Sequence, residues 1–451
     1  MKTIITLLIL LFAVDLSTAQ EKLNLSNAIE AALEHNHNIQ ISKIEQDKAS
    51  NLVTRGNAGQ LPSLSVNSDL NWSYADLELS PGSFFQNLLN PESGEGRSPG
   101  AIKFDGVSST IFSAGLGTQF VIYDGMKGRL RYRTLETGSD LAGLQHKQEM
   151  ENTVLVITRN YVHTVTLQKA IELKELAMEQ SRDRYRVVET RREYGQASEQ
   201  QLLQALADLK ADSTEYRDLI HQYENAYRDL HTAIGWDRRE MLPLDDDILS
   251  TDLPHYDNLL YSMYENNTAL NVRERRIEQA QIEQKITKAD FFPTITAGAH
   301  YGYTYQSATD GLFETQEQLG FMGGISIKIP IFTGGRNRTA SENAKASLRQ
   351  EQIRYDDSEQ QLRTQFDNTW NRLLYLENRL TTEQDNLAVY ERNYERAKDS
   401  FGQGLITGVE LRSAQLSLQD ACLRISETDF QIKLTETTLL YLSGGLLISS
   451  Q

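Results

Sequence analysis

Apolar and small side chains recur alternately three and four residues apart near the carboxyl end of the chain. This run covers 411–439, and its spacing is that of the seam of a helical coiled coil. A similar seam occupies 362–397, and a glycine-marked turn at 404–407 separates the two. The pattern therefore predicts a helical hairpin over 335–442, with the turn as its tip.

Four other segments alternate apolar and polar residues with a period of two, which is typical of β-strands. They cover about 63–74, 110–123, 294–305 and 319–332. Such alternation over roughly ten residues, ending in aromatic side chains, is typical of transmembrane strands. The alternative is an ordinary antiparallel sheet with one wet face. Two predicted hairpins of this kind in one chain favour the membrane.

The chain contains two copies of one unit. A proline that precedes a strand occurs at Pro62 and again at Pro293, an offset of 231 (293 − 62). The turn at 195–198 recurs at 404–407, an offset of 209 (404 − 195). The motif that ends the second strand of each pair recurs at that same offset. An offset shared by separate motifs indicates duplication.

The duplicated unit is predicted to run helix, strand, strand, helix, helix. We expect the first copy over 20–234, with its helical hairpin at 125–234, and the second copy over 258–451. Residues 235–257 link the copies. The first copy carries about 22 extra residues (231 − 209), which fall in a loop rich in Gly, Pro and Ser at about 75–105. Such composition predicts an irregular, solvent-facing connection.

Residues 1–19 have the features of a secretory signal peptide. Lys2 supplies the positive end, 4–14 the apolar core, and Ser17 and Ala19 the small residues before a cut. No later apolar run reaches the length of about 20 residues that a transmembrane helix needs. If the chain meets a membrane, its strands must make the contact.

Four strands cannot close a barrel alone, because single-chain barrels need at least about eight. An open sheet edge in lipid would leave backbone groups without partners. The expected fold class is therefore mixed: an all-α coiled-coil tunnel plus a transmembrane β-barrel that several copies of the chain close together.

Charge and motif content narrow the function. The formal net charge is −17, with 62 acidic and 45 basic residues; such a surface repels phosphate backbones, so we expect no nucleic-acid partner. The single cysteine, Cys422, is predicted to be a packed side chain. The sequence contains no HExxH, GxxxxGK[ST] or GxSxG motif, and we expect no enzyme activity, no cofactor and no metal site.

The duplicated order, the tips at 195–198 and 404–407, and the strand-ending motif at 330–335 together resemble the TolC-like outer membrane efflux protein family. The likeness covers essentially the mature chain. It implies a homotrimer in the outer membrane of a Gram-negative bacterium, with a lipid-facing barrel closed by trimerisation and a helical tunnel through the periplasm. It also implies two protein partners, a periplasmic adaptor (membrane fusion) protein and an inner membrane transporter.

The resemblance also implies a pore entrance at the tips. Two acidic positions that ring the narrow entrance in the best known member fall on Glu410 and Ser413. The matching positions of the first copy are Gln201 and Gln204. A ring of carboxylates in a narrow pore favours cations. The alternative is a solvated glutamate at a helix start, favoured by the helix dipole.

The closing contact and the adaptor contact follow from the same resemblance. A tyrosine and an arginine that lock the best known member fall on Phe401 and Ile406, so the polar lock is replaced. An apolar gate is expected from Leu405, Ile406 and Val409. The family's adaptor contacts fall on the turns, here Gly195, Ser198, Gly404, Leu405 and Thr407.

The sequence therefore favours a passive outer membrane duct of a tripartite efflux system, with energy supplied by its partners. A type I protein secretion duct is the alternative within this class. A periplasmic coiled-coil scaffold or adaptor protein is the alternative from another class. Generic polar residues line the expected tunnel, so the cargo does not follow from the sequence.

Overall fold

A computed structural model describes residues 22–79, 102–237, 242–246, 253–309 and 314–447. The predicted signal peptide lies outside these residues, as do most of the predicted 75–105 loop and parts of the predicted linker. The chain divides into two compact units. The helical unit comprises Met1–Lys48, Ser139–Ile277 and Glu351–Gln451, and the unit that contains the sheet comprises Ala49–Gly138 and Glu278–Gln350.

The described elements follow one another twice in the same order. The first copy consists of α1 Leu25–His35, α2 His37–Asn51, β1 Ser63–Leu79, β2 Ile102–Tyr123, α3 Lys127–Glu193 and α4 Glu199–Ile234. The second consists of α5 Tyr256–Asn266, α6 Thr268–Ala289, β3 Thr294–Ala308, β4 Thr315–Lys328, α7 Arg336–Gly402 and α8 Gly408–Leu442. The predicted class, long helices with four antiparallel strands in a duplicated unit, is confirmed.

The fourth strand differs from its prediction at both ends. It begins at Thr315 and ends at Lys328, so the prediction that it continues to 332 is wrong. Pro330 lacks a backbone N–H and cannot donate to a neighbouring strand, which ends the ladder here although Ile329 and Ile331 continue the apolar alternation. Strand β1 extends to Leu79 and β2 begins at Ile102. Pairing therefore continues into the segment predicted to be loop.

The two copies match in the length and spacing of their longest helices and of their short leading helices. Helices α3 and α7 both contain 67 residues and both of their ends are offset by 209 (336 − 127 and 402 − 193). Helices α1 and α5 both contain 11 residues and are offset by 231 (256 − 25). The offset changes only across the strands and the connection between them, where the first copy is longer.

An asparagine breaks the leading helical segment of each copy, and the two asparagines make the same hydrogen bonds. Asn36 Nδ2 donates to the carbonyl oxygen of Ala233 at 2.7 Å, and Asn267 Nδ2 donates to that of Leu442 at 2.9 Å. Each side-chain oxygen accepts from backbone N–H groups of the helix that follows. A glycine with positive φ follows the helix that accepts each of these bonds. Gly235, with φ of 88°, follows α4, and Gly444, with φ of 71°, lies just after α8.

Each short leading helix packs on the hairpin of its own copy. In the first copy, buried residues of α1 meet Ile157 of α3 and Leu230 of α4. In the second, buried residues of α5 meet Phe366 of α7 and Leu439 of α8. These pairs occupy equivalent positions at the 209 offset. The equivalent residues of the leading helices are Ala28 and Ala32 in α1, and Leu259 and Met263 in α5.

The sheet is a four-stranded antiparallel meander in the order β1-β2-β3-β4. One row across it consists of Val66, Leu116, Tyr301 and Phe321, and the next of Ser65, Gly117, His300 and Met322. Rows of large apolar side chains therefore alternate with rows of mostly small or polar ones, which gives the sheet an apolar and a polar face. The apolar face is exposed in the single chain; Phe321, for example, is 73% exposed.

Two left-handed residues turn the chain from strand to helix in each copy. In the second copy they are Gly334 and Gly335, with φ of 63° and 82°. In the first they are Gly125, with φ of 71°, and Met126, with φ of 70°. Met126 is thus a non-glycine residue in a conformation that favours glycine. Among the described residues, no helix is both long enough and apolar enough to cross a membrane.

Candidate functional site at the two helix tips

The first tip joins α3 to α4 through a glycine turn and a capping box. Gly195 has φ of 71°, and the N–H of Gln196 donates to the Arg191 carbonyl at 2.7 Å. The Ser198 N–H donates to Gln201 Oε1 at 2.8 Å, and the Gln201 N–H donates to Ser198 Oγ at 3.2 Å. The helix start therefore satisfies two of its own free donors.

The second tip repeats this geometry with a charged residue. Gly404 has φ of 76°, and the Thr407 N–H donates to Glu410 Oε2 at 2.7 Å. The Thr407 hydroxyl also lies 2.9 Å from the same oxygen. These contacts, with the backbone N–H of Thr407 first, lower the pKa of Glu410 below its ordinary value. The carboxylate therefore stays ionised and is held at the start of its own helix.

Buried residues from all four long helices pack beneath the tips. They are Val188, Leu202, Ala205, Tyr394, Phe401, Leu411 and Ala414. Of the three residues predicted to form the apolar gate, Ile406 packs partly buried against this cluster. Leu405 and Val409 point away from it and are 72% and 66% exposed.

A groove of about 850 Å³ lies between the tips. The residues named from the sequence that line it are Ser198, Gln201, Gln204, Phe401, Gly404, Leu405, Ile406, Thr407, Val409 and Glu410. Ser413 and Gly195 are exposed, and neither is among the described residues that line the groove. Most of the positions predicted for the entrance and for the adaptor contact therefore share one surface.

Arg191 joins the two tips and was not predicted from the sequence. Its Nη2 atom donates to the carbonyl oxygens of Phe401 at 2.6 Å and Gly402 at 3.1 Å. Its guanidinium carbon lies 4.8 Å from the centroid of the Phe401 ring, within the range of a cation–π contact. Phe401, one of the two positions where the resemblance predicted that a polar lock is replaced, thus receives an arginine from the first hairpin.

A buried ionic cluster lies farther along the helices and was also missed. Asp212 of α4 is fully buried and accepts from Lys174 Nζ at 2.9 Å, Ser181 Oγ at 2.6 Å and both terminal nitrogens of Arg412 at 2.7 Å. Burial alone raises the pKa of Asp212, but the hydrogen bonds from Arg412, Ser181 and Lys174 outweigh it and lower the pKa below its ordinary 3.8.

The cluster ties the first hairpin to the second. Lys174 and Ser181 belong to α3 and Asp212 to α4, whereas Arg412 comes from α8. The Asp212 position continues the heptad seam that the sequence shows at Leu209 and Tyr216, so spacing could have located it. Nothing in the spacing reveals Arg412 as its partner, because the two residues lie 200 positions apart.

Across the described ranges, no group of three or more His, Cys, Asp and Glu side chains is arranged to hold a metal ion. The Glu410 carboxylate accepts a hydrogen bond from the Thr407 N–H at the start of its own helix. The Asp212 carboxylate accepts hydrogen bonds from the side chains of Lys174 and Arg412.

Comparison with known proteins identifies the architecture. The family described as outer membrane efflux protein matches residues 28–236 and 259–445. The chain belongs to this family. This match confirms the resemblance inferred from the sequence. It also confirms that the protein is located in the outer membrane. The family is one of outer membrane channels, which disfavours the periplasmic scaffold as an alternative.

Individual members of the family are distant from this chain. It is 22% identical to the cation efflux system protein CusC of Escherichia coli O157:H7 over 366 residues, 79% of this chain and 77% of the relative. It is 20% identical to the alkaline protease secretion protein AprF of Pseudomonas aeruginosa over 438 residues, 94% and 85% of the two chains. The solved outer membrane channel CmeC of Campylobacter jejuni superposes with a TM-score of 0.73 at 16% identity, covering 94% and 86%.

Proposed function

We propose that three copies of this outer membrane efflux protein form one passive conduit, with their sheets joined edge to edge into a single barrel. The observation that carries this proposal is the sheet itself. It has one exposed apolar face, and its edge strands β1 and β4 contain 17 and 14 residues. Each backbone group left without a partner in lipid costs several kcal/mol. Pairing β4 of one copy with β1 of the next removes both edges.

The four long helices would continue this conduit into the periplasm as a tunnel, with the tips at its inner end. The exposed residues of the tips suit contact with a periplasmic adaptor protein, which connects the conduit to an inner membrane transporter. We assign this contact to Gly195, Ser198, Gly404, Leu405 and Thr407. The rigid turn geometry of both tips supports the assignment, since it presents these residues in a fixed arrangement.

The entrance would combine an apolar gate with a charged ring. Leu405 and Val409 are the exposed apolar residues of the second tip, and threefold symmetry would bring three copies of each around one axis. Glu410 would add three carboxylates beside them. The carboxylate is charged at neutral pH, as an ordinary glutamate is, and the lowered pKa extends this charge to lower pH. Such a charge favours cations in a narrow pore.

The two named relatives carry different cargoes by name, one cations and the other a protease. Efflux of small solutes is the function we favour, in line with the family description. Export of a polypeptide is the second candidate, and the match to AprF over 94% of this chain favours it. Cells that express this chain with an inner membrane transporter and an adaptor, assayed both for secretion of a labelled protease and for efflux of a small solute, would separate the two candidates.

The conduit is tested first by assembly. Outer membranes from cells expressing the full chain should contain a heat-resistant trimer on mild denaturing gels. In planar bilayers this trimer should conduct ions. A soluble monomer that needs no detergent would contradict the proposal.

The charged ring is tested by a matched pair of variants. Glu410→Gln preserves a capping residue of the type found at Gln201 but removes three charges, so the trimer should lose cation selectivity. Gln201→Glu keeps the first cap and adds three charges, so selectivity should rise. Reversal potentials in a salt gradient measure both. Equal potentials for the two variants would rule out a ring at Glu410 while leaving the conduit intact.

A further inference from the structure

Large apolar side chains are exposed where the strands of the sheet join the helices. Ile331 and Phe332, which follow β4, are 94% and 87% exposed, and Phe291 and Phe292, which precede β3, are each 52% exposed. The four residues share one end of the sheet, because β3 begins opposite the end of β4. Large apolar side chains that are exposed together mark an interaction site.

The first copy keeps a methionine at this end of the sheet at a conformational cost. Met126 has φ of 70° and is 57% exposed, and its equivalent in the second copy is Gly335. Backbone strain of this kind persists where a function requires it. Since more than half of the side chain is exposed, packing within the chain accounts for little of the preference for methionine. We call Met126, Phe291, Phe292, Ile331 and Phe332 the apolar collar.

Basic residues follow the sheet directly in both copies. Residues 124–133 include four basic and one acidic residue, and 333–342 include two basic and one acidic, although acidic residues outnumber basic ones in the whole chain by 62 to 45. Three exposed arginines, which we call the basic collar, are Arg129, Arg336 and Arg338. Neither α3 nor α7 has an acidic residue in its first turn, where the helix dipole favours negative charge. The basic residues here therefore do not serve to stabilise their own helices.

Carboxylates of the chain neutralise little of the charge of the basic collar. Arg338 Nε lies 3.0 Å from Glu342 Oε1, but the two side chains are 82% and 65% exposed, and such surface pairs contribute little. Among the ion pairs of the described residues, none includes Arg129 or Arg336. The basic collar is thus available to an anion outside the chain.

We propose that this end of the sheet binds anionic phospholipids of the inner leaflet, with the apolar collar among the acyl chains and the basic collar on the headgroup phosphates. The family is located in the outer membrane, and the end of the sheet that continues into the helices faces the periplasm. Apolar residues followed by arginines match the order of acyl chains and phosphates in a leaflet. Guanidinium groups bind phosphate through paired hydrogen bonds. The inference adds a lipid class to the proposed conduit.

Fluorescence of a tryptophan in the apolar collar tests the lipid contact. Phe332→Trp, in a Trp72→Phe background of the full chain, is reconstituted as the trimer into bilayers that contain one brominated lipid. Brominated phosphatidylglycerol should quench this tryptophan more strongly than brominated phosphatidylcholine at the same mole fraction. In the wild type, Trp72 lies on β1 nine residues (72 − 63) from this end of the sheet, and the two lipids should quench it equally.

Charge variants in the same background test the phosphate contact. Arg336→Gln or Arg338→Gln should lower the preference for phosphatidylglycerol about fivefold, the effect of one basic residue at an anionic surface. Salt at about 1 M should remove most of the preference. The matched control is Arg349→Gln. Arg349 is also exposed but lies 11 residues (349 − 338) farther along α7, about 16 Å, so its loss should leave the preference unchanged.

The first copy is tested without an added tryptophan. Native mass spectrometry of the trimer measures the phosphatidylglycerol it retains after mixed phosphatidylglycerol and phosphatidylcholine are offered. Arg129→Gln should lower the retained phosphatidylglycerol about fivefold. Met126→Gly should lower the retention of both lipids, although it relieves backbone strain. This measurement decides the matter if Phe332→Trp does not assemble.

The outcomes separate the lipid site from the proposed conduit. Absence of quenching in Phe332→Trp, or equal quenching by the two lipids at low salt, overturns the site. A changed reversal potential in Arg336→Gln with an unchanged lipid preference overturns the phosphate contact, because the arginines would then face the lumen. Displacement of the lipid by inorganic phosphate at constant ionic strength also overturns it, in favour of a free-anion site. Conducting trimers in these cases leave the conduit standing, whereas a wild type without trimers contradicts the conduit itself.

Discussion

The two helix tips share one backbone and differ in what they expose. Both have a left-handed glycine and a capping box at equivalent positions. The first tip presents Gln196 and Gln200 where the second presents Leu405 and Val409. Turn geometry therefore depends on the glycine and the cap, and the remaining positions are free to differ. The two tips have therefore kept the same backbone conformation after duplication, while the side chains on their surfaces have become different.

The same lesson holds inside the hairpins, where one ion pair has reversed its polarity. In the first copy Lys174 Nζ of α3 lies 2.5 Å from Glu215 Oε2 of α4. At the equivalent positions of the second copy, Glu383 Oε2 of α7 lies 3.1 Å from Arg424 Nε of α8. Each hairpin keeps an opposite-charge pair, but exchange of one helix between hairpins would oppose like charges. The first pair is joined by the buried carboxylate of Asp212, and the second by the more exposed Arg379 and Asp420.

The largest expected difference between the copies lies at Asp212. Asp212→Ala leaves Lys174 and Arg412 buried without their shared carboxylate, and breaking a buried pair in this way costs about 3–5 kcal/mol. The change in unfolding free energy should appear in denaturant titrations of the trimer followed by circular dichroism. Asp385→Ala, at an exposed position of α7, should change stability by less than about 0.5 kcal/mol. An equal loss of stability in the two variants would show that the Asp212 cluster does not stabilise the protein more than an exposed charge does.

The pH dependence of the stability of Asp212→Ala tests whether the ionised carboxylate is the stabilising form. Because the pKa of Asp212 is lowered on folding, its stabilising contribution is complete above the ordinary value of 3.8 and is lost as the pH falls through the lower, folded-state pKa. The stability gap between the wild type and Asp212→Ala should therefore be constant from pH 7 to about pH 5 and narrow below pH 3.8. A gap that narrows already between pH 7 and pH 5 contradicts this assignment.

The next largest loss of stability should come from replacing the glycine after the last helix of each copy, and it should be similar in the two copies. Gly235 and Gly444 have positive φ, and an added Cβ would lie 2.5 Å from the His35 carbonyl oxygen and 2.3 Å from that of Asn266. Left-handed backbone alone costs about 1–3 kcal/mol for other residues, so Ala at either site should destabilise by at least that amount. Gly402→Ala, where a Cβ meets nothing within 4 Å, is the control. Thermal melting of the trimer compares the three.

The smallest effect should have opposite signs in the two copies. Met126→Gly relieves a left-handed methionine whose side chain is largely exposed, and should stabilise by about 1 kcal/mol. Gly335→Ala places a side chain on equivalent backbone and should destabilise by a similar amount. Melting temperatures of both variants test this. A Met126→Gly variant that is less stable would show that the methionine side chain contributes packing here.

The sequence predicted those features that depend on neighbours within a helix or strand. The heptad seam located α8, alternation located the four strands, and the shared offset revealed the duplication. The break at Asn36 was missed, because amphipathic spacing continues on both sides and the bond to Ala233 comes from far along the chain. The end of β4 was misplaced because apolar alternation outlasts the pairing that Pro330 ends.

The site was predicted less completely for the same reason. Glycines and capping residues are local signals, so the tips were found and most predicted residues share their groove. Arg191 against Phe401, and Arg412 against Asp212, join residues at least 200 positions apart. A charged residue on a helix gives no sign in the sequence of whether its partner is water or a buried carboxylate. Only the packing of the hairpins reveals these pairs.

The capping boxes at Ser198 and Thr407 have a consequence for how fast a partner can bind. Each tip has its turn fixed by a glycine and its first helical donors satisfied from within the same chain. A protein that docks here meets a surface with little conformational freedom to lose, so the ordering entropy that slows and weakens association with flexible loops is largely absent. Association at the tips should then be governed by diffusion and orientation, without a folding step.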